Sequence, residues 1–208
     1  MKRIMLIMVL VLAMVPSAVQ ASVEAALSIT DGRVSSFYLA IGDHYRVPEK
    51  EIIVVKKKEI SDDDLAVVFF LARHANVAPS VIVDLRLGGR TWMEITTHFE
   101  LSAAIYYVEI AKVSGPPYGK ACGHFRNRHR DQWKSIKLTD VDIVNFVNLK
   151  FVSEHYGWSP DEVVRMREQG QSFIAISDKI KKEKSKKEAD KPAKKDKGGK
   201  KGSGKKKK

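Results

Sequence analysis

At 208 residues with 44% apolar side chains, the chain is long enough for one modest core. Its formal net charge of +12 is unevenly placed: residues 178–208 hold sixteen lysines against five acids, Lys2 and Arg3 add two more charges, and residues 22–177 come to −1 by subtraction. That excludes a uniformly basic globule, and a single cysteine excludes an intramolecular disulfide.

The chain opens with Lys2-Arg3 followed by an apolar run from Ile4 to Val15, and Val19-Gln20-Ala21 places small residues where a signal peptidase reads. Residues 1–21 therefore read as a cleavable secretory signal with Ser22 as the mature start. The run is shorter than the roughly 20 residues a bilayer needs, and no cysteine stands at the cleavage point for lipid attachment. The mature chain is expected in the periplasm or outside the cell, with no transmembrane span.

Residues 23–45 read as mainly helical apart from a turn at Asp31-Gly32, and stop at His44-Tyr45-Arg46-Val47-Pro48. A faint unit covers residues 37–60, running from His44 through Pro48 to Val55, with Lys56-Lys57-Lys58 where a glycine turn would fall. Ser61-Asp62-Asp63-Asp64 is then a helix start, a hydroxyl cap followed by acids that the helix dipole favours. Leu65, Val68, Phe69, Ala72 and Ala75 continue at helical spacing. Thr139-Asp140-Val141-Asp142 opens a second helix in the same way, with Ile143, Phe146, Val147 and Phe151 behind it. Asn145 and Asn148 interrupt its apolar face and are taken as its solvent edge, the other reading being a polar site.

After each of these helices the sequence repeats. Residues 74–95 and 155–176 align without a gap and share His74/His155, Pro79/Pro160, Val83/Val164, Arg86/Arg167, Gly89/Gly170 and Ile95/Ile176. Proline suits the first helical position, glycine the left-handed residue that ends a helix, and Thr91 or Ser172 the cap of the next one. Glu94 completes a capping box with Thr91; Ala175 cannot do so with Ser172. Units at 61–101 and 138–177 are each a helical triplet that must pack on a neighbour to bury its apolar face. The fold class is all-α: two or three related helical units packed as one domain over residues 22–177, with a long basic loop and a disordered C-terminal tail.

The loop is residues 114–137, rich in Gly and Pro and carrying +5. Residues 105–113 before it alternate weakly and read as a helix end or a short strand. Tyr118, Phe125 and Trp133 interleaved with Lys120, Arg126, Arg128 and Arg130 have the composition of a surface that stacks on rings and holds anions. The plainer reading is that the rings anchor the loop to the core. Residues 178–208 have almost nothing to bury and read as a disordered lysine-rich tail.

Other chemistry is sparse. His44, His74 and His155 recur at corresponding places and invite a metal site, but a histidine in the last turn of a helix is more simply explained by the carbonyls there, and no metal is assigned. Arg86 and Arg167 are expected along the surface or beside an acid. Cys122 sits among basic groups that could lower its pKa, yet nothing around it makes a cysteine-enzyme signature. No phosphate-cradling glycine loop, paired-cysteine motif, zinc-protease motif or serine elbow is present, and no cofactor is called for.

The order of signal, capped helix, x-Pro-x-x-Val-x-x-Met/Leu-Arg, Gly, then Trp/Phe-x-x-Ile is similar to small exported bacterial helical-repeat proteins of unassigned function, a resemblance that implies no activity. The paired helices around Gly89 also resemble the turn of a helix-turn-helix, a DNA-binding geometry. The leading expectation is a non-enzymatic exported binding or structural protein whose lysine tail attaches to anionic envelope polymers or lipid head groups. The alternatives are a nucleic-acid binder using the helix-turn-helix-like units and the basic tail, and an envelope enzyme using the histidines and basic-loop residues.

Overall fold

The computed structural model describes residues 32–113 and 115–189, with side chains from Ser36 to Lys187. In chain order its helices are α1 (Gly32–Tyr45), α2 (Glu49–Lys56), α3 (Asp62–Ala75), α4 (Pro79–Leu87), α5 (Trp92–His98), α6 (Gly119–Arg126), α7 (Asp140–Tyr156), α8 (Pro160–Glu168) and α9 (Phe173–Ala189). Short 3-10 helices cover Ala103–Tyr106 and Arg130–Ser135, and no strand occurs among the described residues. Residues 105–113 thus finish one 3-10 turn and run on without regular structure. The signal reading over residues 1–21 lies outside the described residues.

Helix starts follow from hydroxyl and proline chemistry. Ser61 Oγ accepts from Asp64 N–H (3.1 Å), satisfying a donor that the first turn leaves free. Thr91 and Glu94 form a full capping box, as do Thr139 and Asp142, and Ser172 Oγ accepts from Ala175 N–H (3.2 Å) without a reciprocal acid. Pro79 and Pro160 occupy the first positions of α4 and α8. Each such cap stabilises its helix by about 1 kcal/mol.

The helix ends are equally regular. Arg46, Asn76 and Gly157, each two residues after a histidine, are left-handed (φ 59°, 55° and 67°). The next residue's N–H then reaches back five residues, from Val47 to Gly42 O, Val77 to Ala72 O and Trp158 to Ser153 O. Gly89 (φ 87°) and Gly170 (φ 81°) close α4 and α8 through Arg90 N–H to Leu85 O and Gln171 N–H to Met166 O. After α2 it is Glu59 (φ 60°) that turns the chain, behind the three lysines.

Two helices occupy the centre. Every residue of α3 from Leu65 to Ala72 is buried, and α7 buries residues on all sides from Ile143 to Tyr156. They form the most extensive helix pair, with α1 and α9 laid together against α7, and α4 against α3. A helix buried all round has no solvent edge. That corrects the reading of Asn145 and Asn148: they are 3% and 0% exposed, Asn148 against Asp63 of α3 and Asn145 against Arg167 of α8.

Two boundaries are also corrected. Residues 114–137 are loop only in part, since α6 buries Ala121, Cys122 and Phe125 and the Arg130–Ser135 turn follows it. The tail does not begin at residue 178. Phe173, Ile176 and Ile180 are fully buried at helical spacing, lysine, glutamate and alanine continue the helix well, and α9 runs to Ala189. Residues 190–208 lie outside the described residues.

A Cβ on Gly89 or Gly170 would meet no atom within 4 Å, so any cost of substitution comes from the backbone alone. Gly89→Val and Gly170→Val are each expected to lower stability by about 1 kcal/mol or more, with asparagine at either position costing less. Thermal melts check this, and unchanged midpoints for both valine variants would remove the turn argument.

Candidate functional site

The fold separates the rings of the basic insertion from its cations. Tyr118 is fully buried, its ring 5.9 Å from that of Phe146 and its hydroxyl donating to Asn145 O (3.3 Å). Phe125 is 2% exposed and touches Phe146 (5.8 Å), Tyr107 (5.5 Å) and Trp133 (5.1 Å). These two rings are therefore core anchors and unavailable for stacking on a ligand, which corrects their place in the candidate surface. Trp133 is half-buried, its indole N–H shared between Phe125 O and Arg128 O at 3.2 Å each.

The cations stay outside. Lys120, Arg126, Arg128 and Arg130 are exposed. Arg126 donates to Ile110 O (2.6 Å) and Arg128 to His124 O (3.1 Å), while the Arg130 guanidinium sits 5.4 Å from the Trp133 ring. What remains of the candidate surface is a ridge of arginines braced by backbone carbonyls around one partly open indole. Arg126 also lines a surface cleft with Asp161, Glu162, Arg165 and Glu168, so acids flank one end of the ridge.

Arg86 and Arg167 hold comparable positions. Arg86 donates to Arg90 O and lies 4.5 Å from the Trp92 ring; Arg167 donates to Gln171 O (2.7 Å) and lies 4.4 Å from the Phe173 ring. Each reaches toward a central helix. Arg86 pairs with Asp140 at 2.5 Å, and Arg167 donates to Asn145 Oδ1 at 3.0 Å. Asn148 completes this polar seam by donating to Asp63 O (2.8 Å). Burial holds the Asp63 carboxyl above its usual range, against the pull of the Arg167 charge. Sequence spacing alone could not find the seam, because it forms only when α7 is buried on every side.

The histidines end their helices but do not gather into one site. His44 and His155 have ring centroids 6.1 Å apart and His44 Nε2 is 3.6 Å from Glu154, whereas His74 packs on Phe70 (4.3 Å). No group of three or more His, Cys, Asp or Glu arranged for a metal occurs among the described residues. Burial pushes the Cys122 thiol up, the opposite of what an activated nucleophile needs. Burial also lowers His74 and His155, and takes His44 down to about 4 with help from His155, Arg73 and Lys150.

The remaining charged feature is α9, whose Lys179, Lys182, Lys184, Lys186 and Lys187 are exposed while Lys181 donates to Ser36 O (3.0 Å). A lysine stretch read only for its composition conceals that it begins as an ordered helix. The signal that reveals it is the apolar set Phe173, Ile176 and Ile180.

Two expectations follow. Phe125→Ala should destabilise the fold by about 3 kcal/mol or more, whereas Arg128→Ala should shift it by no more than about 0.5 kcal/mol. Comparable urea midpoints for the two would contradict this division of roles. His44, neutral in the fold and free to protonate near 6.5 when unfolded, contributes stability that is complete above pH 6.5 and is lost as pH falls toward about 4. The melting temperature should fall through that window, and His44→Gln should flatten the slope; identical slopes would show that His44 is not held neutral.

No family model, curated protein or solved structure matches this chain.

Proposed function

We propose that this chain is an exported, non-enzymatic binding or structural protein, built from related helical units, that attaches to anionic envelope polymers or lipid head groups through its lysine-rich C-terminal end. The observation that carries this reading is the separation of charge from fold. Residues 22–177 sum to −1, and the +11 of residues 178–208 begins on α9, whose inner side closes the core while five of its six lysines are exposed. Lysines act as mobile point charges, so the attraction should be general across anions and weakened by salt. The export assignment rests on residues 1–21 and their secretory pattern.

A second reading, nucleic-acid binding, draws on the outward arginines around Trp133. The helix-turn-helix-like pair supports it less. α5 has only seven residues, and its outer side presents Glu94, Thr97 and His98 rather than a row of cations.

The test is truncation after Ala189, which removes ten lysines and two aspartates, a net +8, and leaves α9 intact. The truncated protein should keep the intact melting temperature and lose most of its low-salt retention on lipopolysaccharide, anionic liposomes and DNA alike. Undiminished, unselective binding would rule out the tail. Selective retention on DNA that Trp133→Ala with Arg128→Ala abolishes would move the functional surface to the insertion.

A further inference from the structure

Three of the six lysines of α9 share one face, while Lys181 and Lys184 lie beside the Tyr156 ring of α7. Phe173, Ile176, Ser177 and Ile180 face the domain and are buried. Lys179, Lys182 and Lys186 follow at i, i+3 and i+7, which at about 100° per residue gathers them within roughly 60° on the side away from Phe173 and Ile180. All three are exposed, and none enters an ion pair among the described residues. With a rise of about 1.5 Å per residue they form a straight row roughly 10 Å long.

We propose that this row is an oriented contact for a bilayer surface carrying anionic phospholipid head groups, a proposal that rests on the tail reading above and assigns it a partner and a direction. A straight row on a convex helix meets a plane without needing a groove. No aromatic residue follows Phe173 and no arginine follows Arg167, so this part of the chain has neither rings to stack on bases nor guanidinium forks for bidentate phosphate contacts. Lysine ammonium groups suit a diffuse layer of head-group charge. The row has only Ala175 as an apolar neighbour on its own face, so it rests on the surface and does not insert.

The experiment uses residues 22–208 and vesicles of phosphatidylcholine with or without about 30 mol % phosphatidylglycerol, at about 50 mM salt. A row variant, Lys179→Glu with Lys182→Glu and Lys186→Glu, is compared with a variant of equal charge change, Lys200→Glu with Lys201→Glu and Lys205→Glu. The row variant should bind anionic vesicles at least about tenfold more weakly than the parent and severalfold more weakly than the equal-charge variant. Both should lose DNA retention equally. Should the glutamates disturb α9, the triple glutamine variant of the row must show the same order. Equal losses on vesicles for the two variants would overturn the row while leaving the tail reading intact. A row variant that loses DNA more than vesicles would overturn the lipid assignment. Failure of the parent to bind any anionic surface at low salt would overturn both.

Discussion

Trp92 is the point on which the arrangement of helices depends. Its indole is fully buried and donates to Asp64 Oδ1 (2.9 Å) in the first turn of α3, while its backbone N–H donates to Asp140 Oδ1 (2.7 Å) at the first residue of α7. Asp140 Oδ2 in turn holds Arg86, whose guanidinium covers the Trp92 ring. One residue, through its indole and its backbone N–H, therefore fixes where the starts of α3, α5 and α7 lie relative to each other. The carboxylate also satisfies a free N–H of the first turn of α5, which costs more to leave unpaired than the bond contributes. Arg86 and Asp140 are about a quarter and a third exposed, enough to limit their desolvation penalty and too little for full screening.

The other pair of helices meets the same need with weaker chemistry. Where Arg86 finds a carboxylate, Arg167 finds the amide of Asn145; where Trp92 has an indole N–H, Phe173 has none. Phe173 contributes only packing, so the polar link passes instead through Asn148 to Asp63 O. Arg167 Nε and Asn148 Oδ1 are buried without a hydrogen-bond partner. A neutral amide keeps a second ion pair out of the seam, where two acids and two arginines would each carry a desolvation cost. The amide seam specifies how α7 sits against α3 more than it stabilises the contact.

Much of this was legible in the sequence because it is local. A hydroxyl three residues before an acid, a proline at a first helical position and a glycine past a last one act over a single turn, and Ser61, Thr91, Thr139, Pro79, Pro160, Gly89 and Gly170 all behave as such chemistry dictates. What was not legible depends on distant partners. Asn145 and Asn148 look like a solvent edge to any reading that gives each helix one apolar face, and only the burial of α7 on all sides reverses this. Tyr118 and Phe125 share their spacing with a stacking surface, and it takes partners distant in sequence, Phe146 for both and Tyr107 for Phe125, to draw them inward. The lysine row escaped notice because composition overrode period: three apolar positions among lysines suffice to extend a helix whose early turns are already packed.

That extension changes what the charged end can do. A tail leaving a domain through a flexible joint could bind its partner without the domain sensing it. Here the joint is a helix, and Ile180, buried in the core, is one residue from Lys179 and two from Lys182. Lys181 bonds α1 through Ser36 O, while Lys181 and Lys184 both lie 5.9 Å from the Tyr156 ring of α7. Force or charge applied to the outward lysines is thus carried on the same short segment that holds α1 and α9 to α7. The row and the core are two faces of one helix, so the residues that expose Lys179, Lys182 and Lys186 are the same ones that complete the fold.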